Sequence, residues 1–261
     1  MNAITMSAQH HSFLVDLPYF AQWESRHLVG DILAGRIRAR DDPRWAKSGA
    51  RTPEEYEFWS WRACGIACLR MILAGTRGET PSMIELARDL MGIGAFVRQT
   101  EGVKGLIYEP FARYLARQFH LRAMPIPQLS IDSALGSLRQ GNLVFLASVS
   151  AMIRDSDSRP RARGGHLVLV LGVYSGDVVL HNPSGKDVKS QSFARVPMRR
   201  FQECFAGKGV AVALPERRLD SGGARILSPL PPFEFPEYSV NGRVTTRMNN
   251  VSALGLPRSE R

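Results

Sequence analysis

The spacing of apolar positions along this chain changes near residue 141, from a helical rhythm before it to short continuous runs after it. CGIACLRMILAG (64–75) has apolar residues on nearly all sides, among them Ala67, Leu69, Met71, Ile72 and Leu73. This predicts a buried helix from Cys64 to Ala74, with Gly75 in the C′ position. A second helix is expected from Pro81, with Thr80 as N-cap, through MIELARDLM to Gly92, and a third over LIYEPFARYLARQF despite Pro110 near its start. A fourth opens with Ser130 and closes at Gly141. After it, NLVFLASVS and HLVLVLGVY are Val- and Leu-rich runs bounded by Gly and polar residues, the pattern of strands in a buried sheet. HLVLVLGVY, SGD and VVLHNP read as strand, tight turn and strand. A helix around MRRFQECF and a last strand, GVAVAL, follow.

Ahead of these elements, FLVDLPYFAQW (Phe13 to Trp23) alternates weakly and is expected to form an extended edge strand or arm, followed by a long polar loop. Helices first and an antiparallel sheet second predict an α+β fold. The expected domain covers residues 13–214. The remaining 215–261 holds six of the sixteen prolines and reads as an extended or disordered tail.

Composition narrows the function. With 261 residues, 44% hydrophobic and 22% charged, the chain has globular rather than disordered character. No apolar run approaches the ~20 residues of a membrane span, and the first residues lack the basic and apolar regions of a secretory signal, so a cytoplasmic protein is expected. The net charge of +10 is concentrated in loops, Arg36 to Arg51 and Ile153 to Gly165. Neither stretch forms a basic helix face or interleaves aromatics with Arg, which argues against a nucleic-acid partner. Three cysteines without CxxC spacing exclude a disulfide framework and a structural zinc site. Without a phosphate-binding glycine loop or a metal-ligand cluster, no cofactor and no metal are expected.

The remaining chemistry centres on Cys64. Placed at a helix start, its thiol is expected to have a depressed pKa, because the helix N-terminus stabilises an anion. The plainer alternative is a small residue packing the helix end. A thiolate needs an imidazole, and His166 opens a strand directly after Gly164 and Gly165, where its ring can stand at the sheet edge. Asn182, before Pro183 on the neighbouring strand, could fix that imidazole's tautomer, or could simply make a turn. Asp177 lies at the far end of the hairpin. Gln22 could donate to an oxyanion beside the Cys64 backbone N–H, or could be an ordinary edge residue. Cys68 and Cys204 read as core residues.

The set PYFAQW, CGIACLRMIL, GGHLVLVLGV and VVLHNPSG, over about Phe13 to Leu214, resembles the bacteriocin-processing (double-glycine leader) cysteine peptidases and the peptidase-like family around them, in the papain-like superfamily. The resemblance implies a papain-like fold, with Cys64 as nucleophile, His166 as general base and acid, Asn182 as the orienting residue and Gln22 as oxyanion donor. It implies a hydrolase of peptide or amide bonds that works through an acyl-enzyme. The same machinery serves acyl transfer from a carrier or peptide, for which an acidic carrier or precursor protein would suit the basic surface. A groove that binds peptides without cutting them is a further alternative. The sequence departs from the family in the insertion from Arg26 to Tyr56, a candidate lid, and in lacking the transporter segments to which such peptidases are commonly fused.

Overall fold

The computed structural model describes residues 15–128, 130, 142–155, 158–160 and 162–215, with four short strands beyond them at 217–219, 225–227, 239–240 and 243–244. Apart from Ser130, the helix expected up to Gly141 lies outside the described residues, as does most of the 215–261 tail. The first half is helical: α1 (Val29–Leu33), α2 (Pro53–Ser60), α3 (Cys64–Arg77), α4 (Met83–Gly92) and α5 (Tyr108–Phe119). A small hairpin, β1 (Val97–Gln99) and β2 (Gly102–Lys104), separates α4 from α5. The second half supplies most of a six-stranded antiparallel sheet: β3 (Arg122–Ile126), β4 (Leu143–Ser150), β5 (Gly165–Tyr174), β6 (Asp177–His181), β7 (Ala194–Pro197) and β8 (Phe205–Ala213). Two short helices lie among these strands, α6 (Val188–Gln191) and α7 (Met198–Cys204). The spatial order is β3-β8-β4-β5-β6-β7. The α+β expectation therefore holds.

Both faces of the sheet are covered, which is why β4 is one unbroken buried run with no polar side to its pleat. On one face Val144, Leu146, Leu169, Leu171, Val210 and Val212 pack against the core of α3, including Ile66, Leu69 and Leu73. On the other, Phe145, Ala147, Val168, Val170 and Ala211 pack with Phe201 and Cys204 of α7. The α3 helix thus lies against β5, and its N-terminus comes to the end of that strand where His166 sits.

Several local expectations are corrected. The arm from Val15 joins no ladder and is tied to the sheet through Val15 N–H to Leu171 O at 3.2 Å. The α3 helix continues through Gly75 to Arg77, and Gly78 is the left-handed cap, at φ 83°. Gly75 is small for another reason: a Cβ there would run into the Leu17 side chain of the arm. The α4 helix begins at Met83, not Pro81, because Ser82 and Glu85 close a reciprocal capping box that satisfies two otherwise free N–H groups. The segment Arg26–Tyr56 is not a polar loop. It folds into short helices that bury Val29, Ile32, Ala39, Asp42 and Tyr56. Asp42 accepts from Ser25 N–H and Oγ, Arg44 N–H and Tyr56 Oη, so although burial raises its pKa these bonds bring it below the usual carboxylate range.

Candidate active site

Cys64 is the first residue of α3, preceded by Ala63 with no side-chain cap, so the N–H groups of the first turn are free to face other partners. The backbone N–H groups of Leu167, Gly65 and Cys64 itself favour the thiolate. Burial nevertheless outweighs them and pushes the thiol up, the reverse of the shift expected from a helix N-terminus alone. The first turns of α3 lie against Leu167, the residue that follows His166: Cys68 Sγ is 3.9 Å from Leu167 O, and a Cβ on Gly65 would come within 3.1 Å of the Leu167 side chain.

His166 is only 6% exposed. It enters β5 after Gly164 and Gly165, both at positive φ (92° and 89°), a turn few other residues could make. Its Nε2 lies 2.8 Å from Asn182 Oδ1 and 3.0 Å from Ser184 Oγ. Asn182 Oδ1 also accepts the Ser184 backbone N–H at 3.1 Å, which identifies it as the acceptor end of the amide. Nε2 must therefore carry the proton, leaving Nδ1 as the basic nitrogen. Burial pushes the imidazole down to about 4; the Asn182 bond opposes this and the Arg154 charge adds to it.

The chain around Asn182 is held on several sides. Its N–H donates to Gln191 O at 2.8 Å, and its carbonyl accepts from Tyr19 Oη at 2.9 Å. Gln22 bridges this turn to the approach of α3, with its N–H on Pro183 O at 2.9 Å and its Nε2 on Ser60 O, also at 2.9 Å. One amide hydrogen of Gln22 is thus engaged, and its buried Oε1 has no hydrogen-bond partner among the described residues.

The structure brings His166 and Asn182 into direct contact, sets the start of α3 against Leu167 next to His166, and ties Gln22 to the Asn182 turn and to the approach of α3. It leaves out Asp177, which faces Tyr174 at the other end of the hairpin and pairs with Arg195. Cys68 and Cys204 are fully buried. His181 is a packing residue: Nε2 lies 2.9 Å from Leu17 O, and Nδ1 accepts the Phe193 N–H at 3.0 Å. Ser184 was missed, although Asn-Pro-Ser is a sequence that favours a turn closed by the Asn side chain. Arg154 and Tyr108 were missed as well. Arg154 donates to Ser184 O at 3.1 Å, and burial raises the Tyr108 hydroxyl, with Ser148 opposing the shift and Cys64 adding to it. No group of three or more metal-ligating side chains occurs among the described residues, and no helix among them is long and apolar enough to cross a membrane.

No protein-family model matches the chain, and no curated protein sequence matches it. Among solved structures, the peptidase domain of Streptococcus ComA, a bifunctional ABC transporter involved in quorum sensing, aligns at 19% identity and a TM-score of 0.39, over 59% of this chain and 92% of that one. A C39-like peptidase from Bacillus anthracis aligns at 18% identity and a TM-score of 0.41, over 60% of this chain and 90% of that one.

Proposed function

We propose that the protein is a papain-like cysteine hydrolase of peptide or amide bonds. The observation that supports this best is the buried His166–Asn182 hydrogen bond beside a thiol at a helix N-terminus. Unlike His181, whose two ring nitrogens are both hydrogen-bonded, His166 is bonded among the described residues through Nε2 alone and keeps Nδ1 available, as a general base requires. Burial favours a neutral thiol and a neutral imidazole at rest. The proton therefore leaves Sγ for His166 Nδ1 as the sulfur attacks the carbonyl carbon. The oxyanion is met by the Cys64 backbone N–H and the second amide hydrogen of Gln22. His166 then protonates the leaving nitrogen as the C–N bond breaks. Water, deprotonated by the same imidazole, releases the acid from the acyl-enzyme.

The raised thiol and lowered imidazole also suit a groove that binds peptides without cutting them. The two readings separate in one experiment: the rate of Cys64 alkylation against pH, followed site by site by mass spectrometry in wild type and His166→Ala, alongside turnover of a peptide library. The catalytic reading expects Cys64 to react much faster than Cys204 and to lose that advantage without His166. A Cys64 that reacts equally well in both proteins, with no peptide cleaved, would favour binding alone.

A further inference from the structure

The sequence NPSG, residues 182–185, makes a tight turn in which Gly185 N–H donates to Asn182 O at 3.0 Å, with Pro183 where a fixed φ suits the bend. The turn sets Asn182 Oδ1 and Ser184 Oγ together on Nε2 of His166. What fixes the turn comes next in the chain. The single helical turn α6 is closed by a reciprocal cap between Asp187 and Ser190, and it ends on Gln191. Gln191 holds both ends of the Asn182 turn: its carbonyl accepts the Asn182 N–H at 2.8 Å, and its Nε2 donates to Gly185 O at 3.0 Å. The same Nε2 donates to Arg26 O at 2.8 Å, in the short 3-10 turn that leads into α1. A carboxamide has two N–H donors, and this one uses both on a side chain only 2% exposed.

The fit around these bonds is close. A Cβ on Gly185 would run into the backbone of Ser190 and Gln191, so glycine is what lets the turn lie against the end of α6. From the other side, a Cβ on Gly30 of α1 would stand 2.7 Å from Lys186 O, just beyond the turn. The hydrogen bonds to Nε2 weaken steeply with distance and angle, so a turn that shifts loses its hold on the ring proton. A proton that moves to Nδ1 removes the basic nitrogen.

We propose that Gln191 is a positioning residue of the site: by fastening both ends of the Asn182 turn to the backbone of Arg26, it keeps the His166 proton on Nε2 and leaves Nδ1 free. This rests on the reading of His166 as general base. It also gives the Arg26–Tyr56 insertion a part in orienting that base, through Arg26 and Gly30.

The test reads the tautomer directly. The full chain, with 15N in its histidine rings, is studied by NMR at neutral pH as wild type, Gln191→Met and Gly30→Ala, the His166 signals being assigned with His166→Gln. Methionine keeps the length of glutamine and removes both donors, while Gly30→Ala presses on Lys186 O and leaves Gln191 in place. Wild type should show His166 as the Nε2–H tautomer alone. In Gln191→Met the ring shifts should average toward Nδ1–H, and iodoacetamide should alkylate Cys64 about fivefold more slowly, the effect of losing one ordinary hydrogen bond. A merely structural role would lower the urea midpoint and leave the tautomer unchanged. That result overturns the inference, as does a wild type already averaged or in the Nδ1–H form. Should Gln191→Met fail to fold, Gly30→Ala decides by the same signals. The catalytic reading is tested apart from this, by Cys64 alkylation in wild type against His166→Ala. Equal rates there overturn the general base, and the ring shifts still decide whether Gln191 holds the tautomer.

Discussion

At the scale of single residues, the site is tuned toward uncharged partners. His166, held down to about 4, is a base over nearly the whole physiological range and ceases to be one only when protonated. Cys64 alkylation and turnover are therefore expected to rise as pH climbs through about 4 and then level off, without a step near the ordinary imidazole value. A rate profile from pH 3 to 8 checks this, and an inflection near 6.5 would contradict it. Ser184 shares the Nε2 side of the ring with Asn182 and closes the Asn182 turn through its backbone N–H. Ser184→Ala should lower kcat about fivefold with little change in KM, the effect of losing one hydrogen bond of ~1 kcal/mol, and Ser184→Thr should recover most of it. A merely structural role would move stability and KM instead.

At the scale of elements, the arm from Val15 to Glu24 fastens the site together. Glu24 and Arg70 form an ion pair at 2.8 Å, each side chain about 10% exposed, and the Arg70 guanidinium also lies over the Phe20 ring at 4.5 Å. Breaking such a pair leaves one buried charge alone. Glu24→Gln should therefore cost about 3–5 kcal/mol in urea unfolding, more than a joint replacement of both partners by apolar residues. Gly75→Ala should also destabilise, through a clash with Leu17, although alanine is the better helix former in isolation. Much of this was beyond sequence reasoning. The Cys64 helix, the β4 run and the β5–β6 hairpin were legible, because continuous apolar stretches and a Ser-Gly turn are local signals. Gly75 was mistaken for a cap because its constraint comes from Leu17, far away in sequence. Arg26–Tyr56 read as a polar loop because one of its buried groups is a charged residue, Asp42, whose partners Ser25 and Tyr56 lie 17 and 14 residues away. His166 and Asn182 could be named from their neighbours in sequence. Ser184 meets the imidazole only when the turn after β6 folds against the start of β5.

For the molecule as a whole, buried neutral histidines make stability depend on pH. The unfolded chain takes up a proton at His166 near the ordinary 6.5, whereas the folded chain does so only near 4, so folding loses ground as pH falls between these values. The loss from His166 alone is about 2 kcal/mol between pH 7 and pH 5. His181, lowered by burial, acts in the same direction. Urea midpoints should therefore drop over this interval, and the drop should shrink in His166→Gln. An unchanged slope in that variant would assign the acid sensitivity elsewhere. The order of the sheet also bears on how the protein is made. β8 is the last of the six strands to leave the ribosome, yet it takes the place between β3 and β4, which were synthesised earlier. Until it arrives, β3 has no neighbour and the sheet beneath α3 is open on one side. A nascent chain thus carries its cysteine long before it carries a finished scaffold, and the order of synthesis itself delays the assembly of the thiol with its partners.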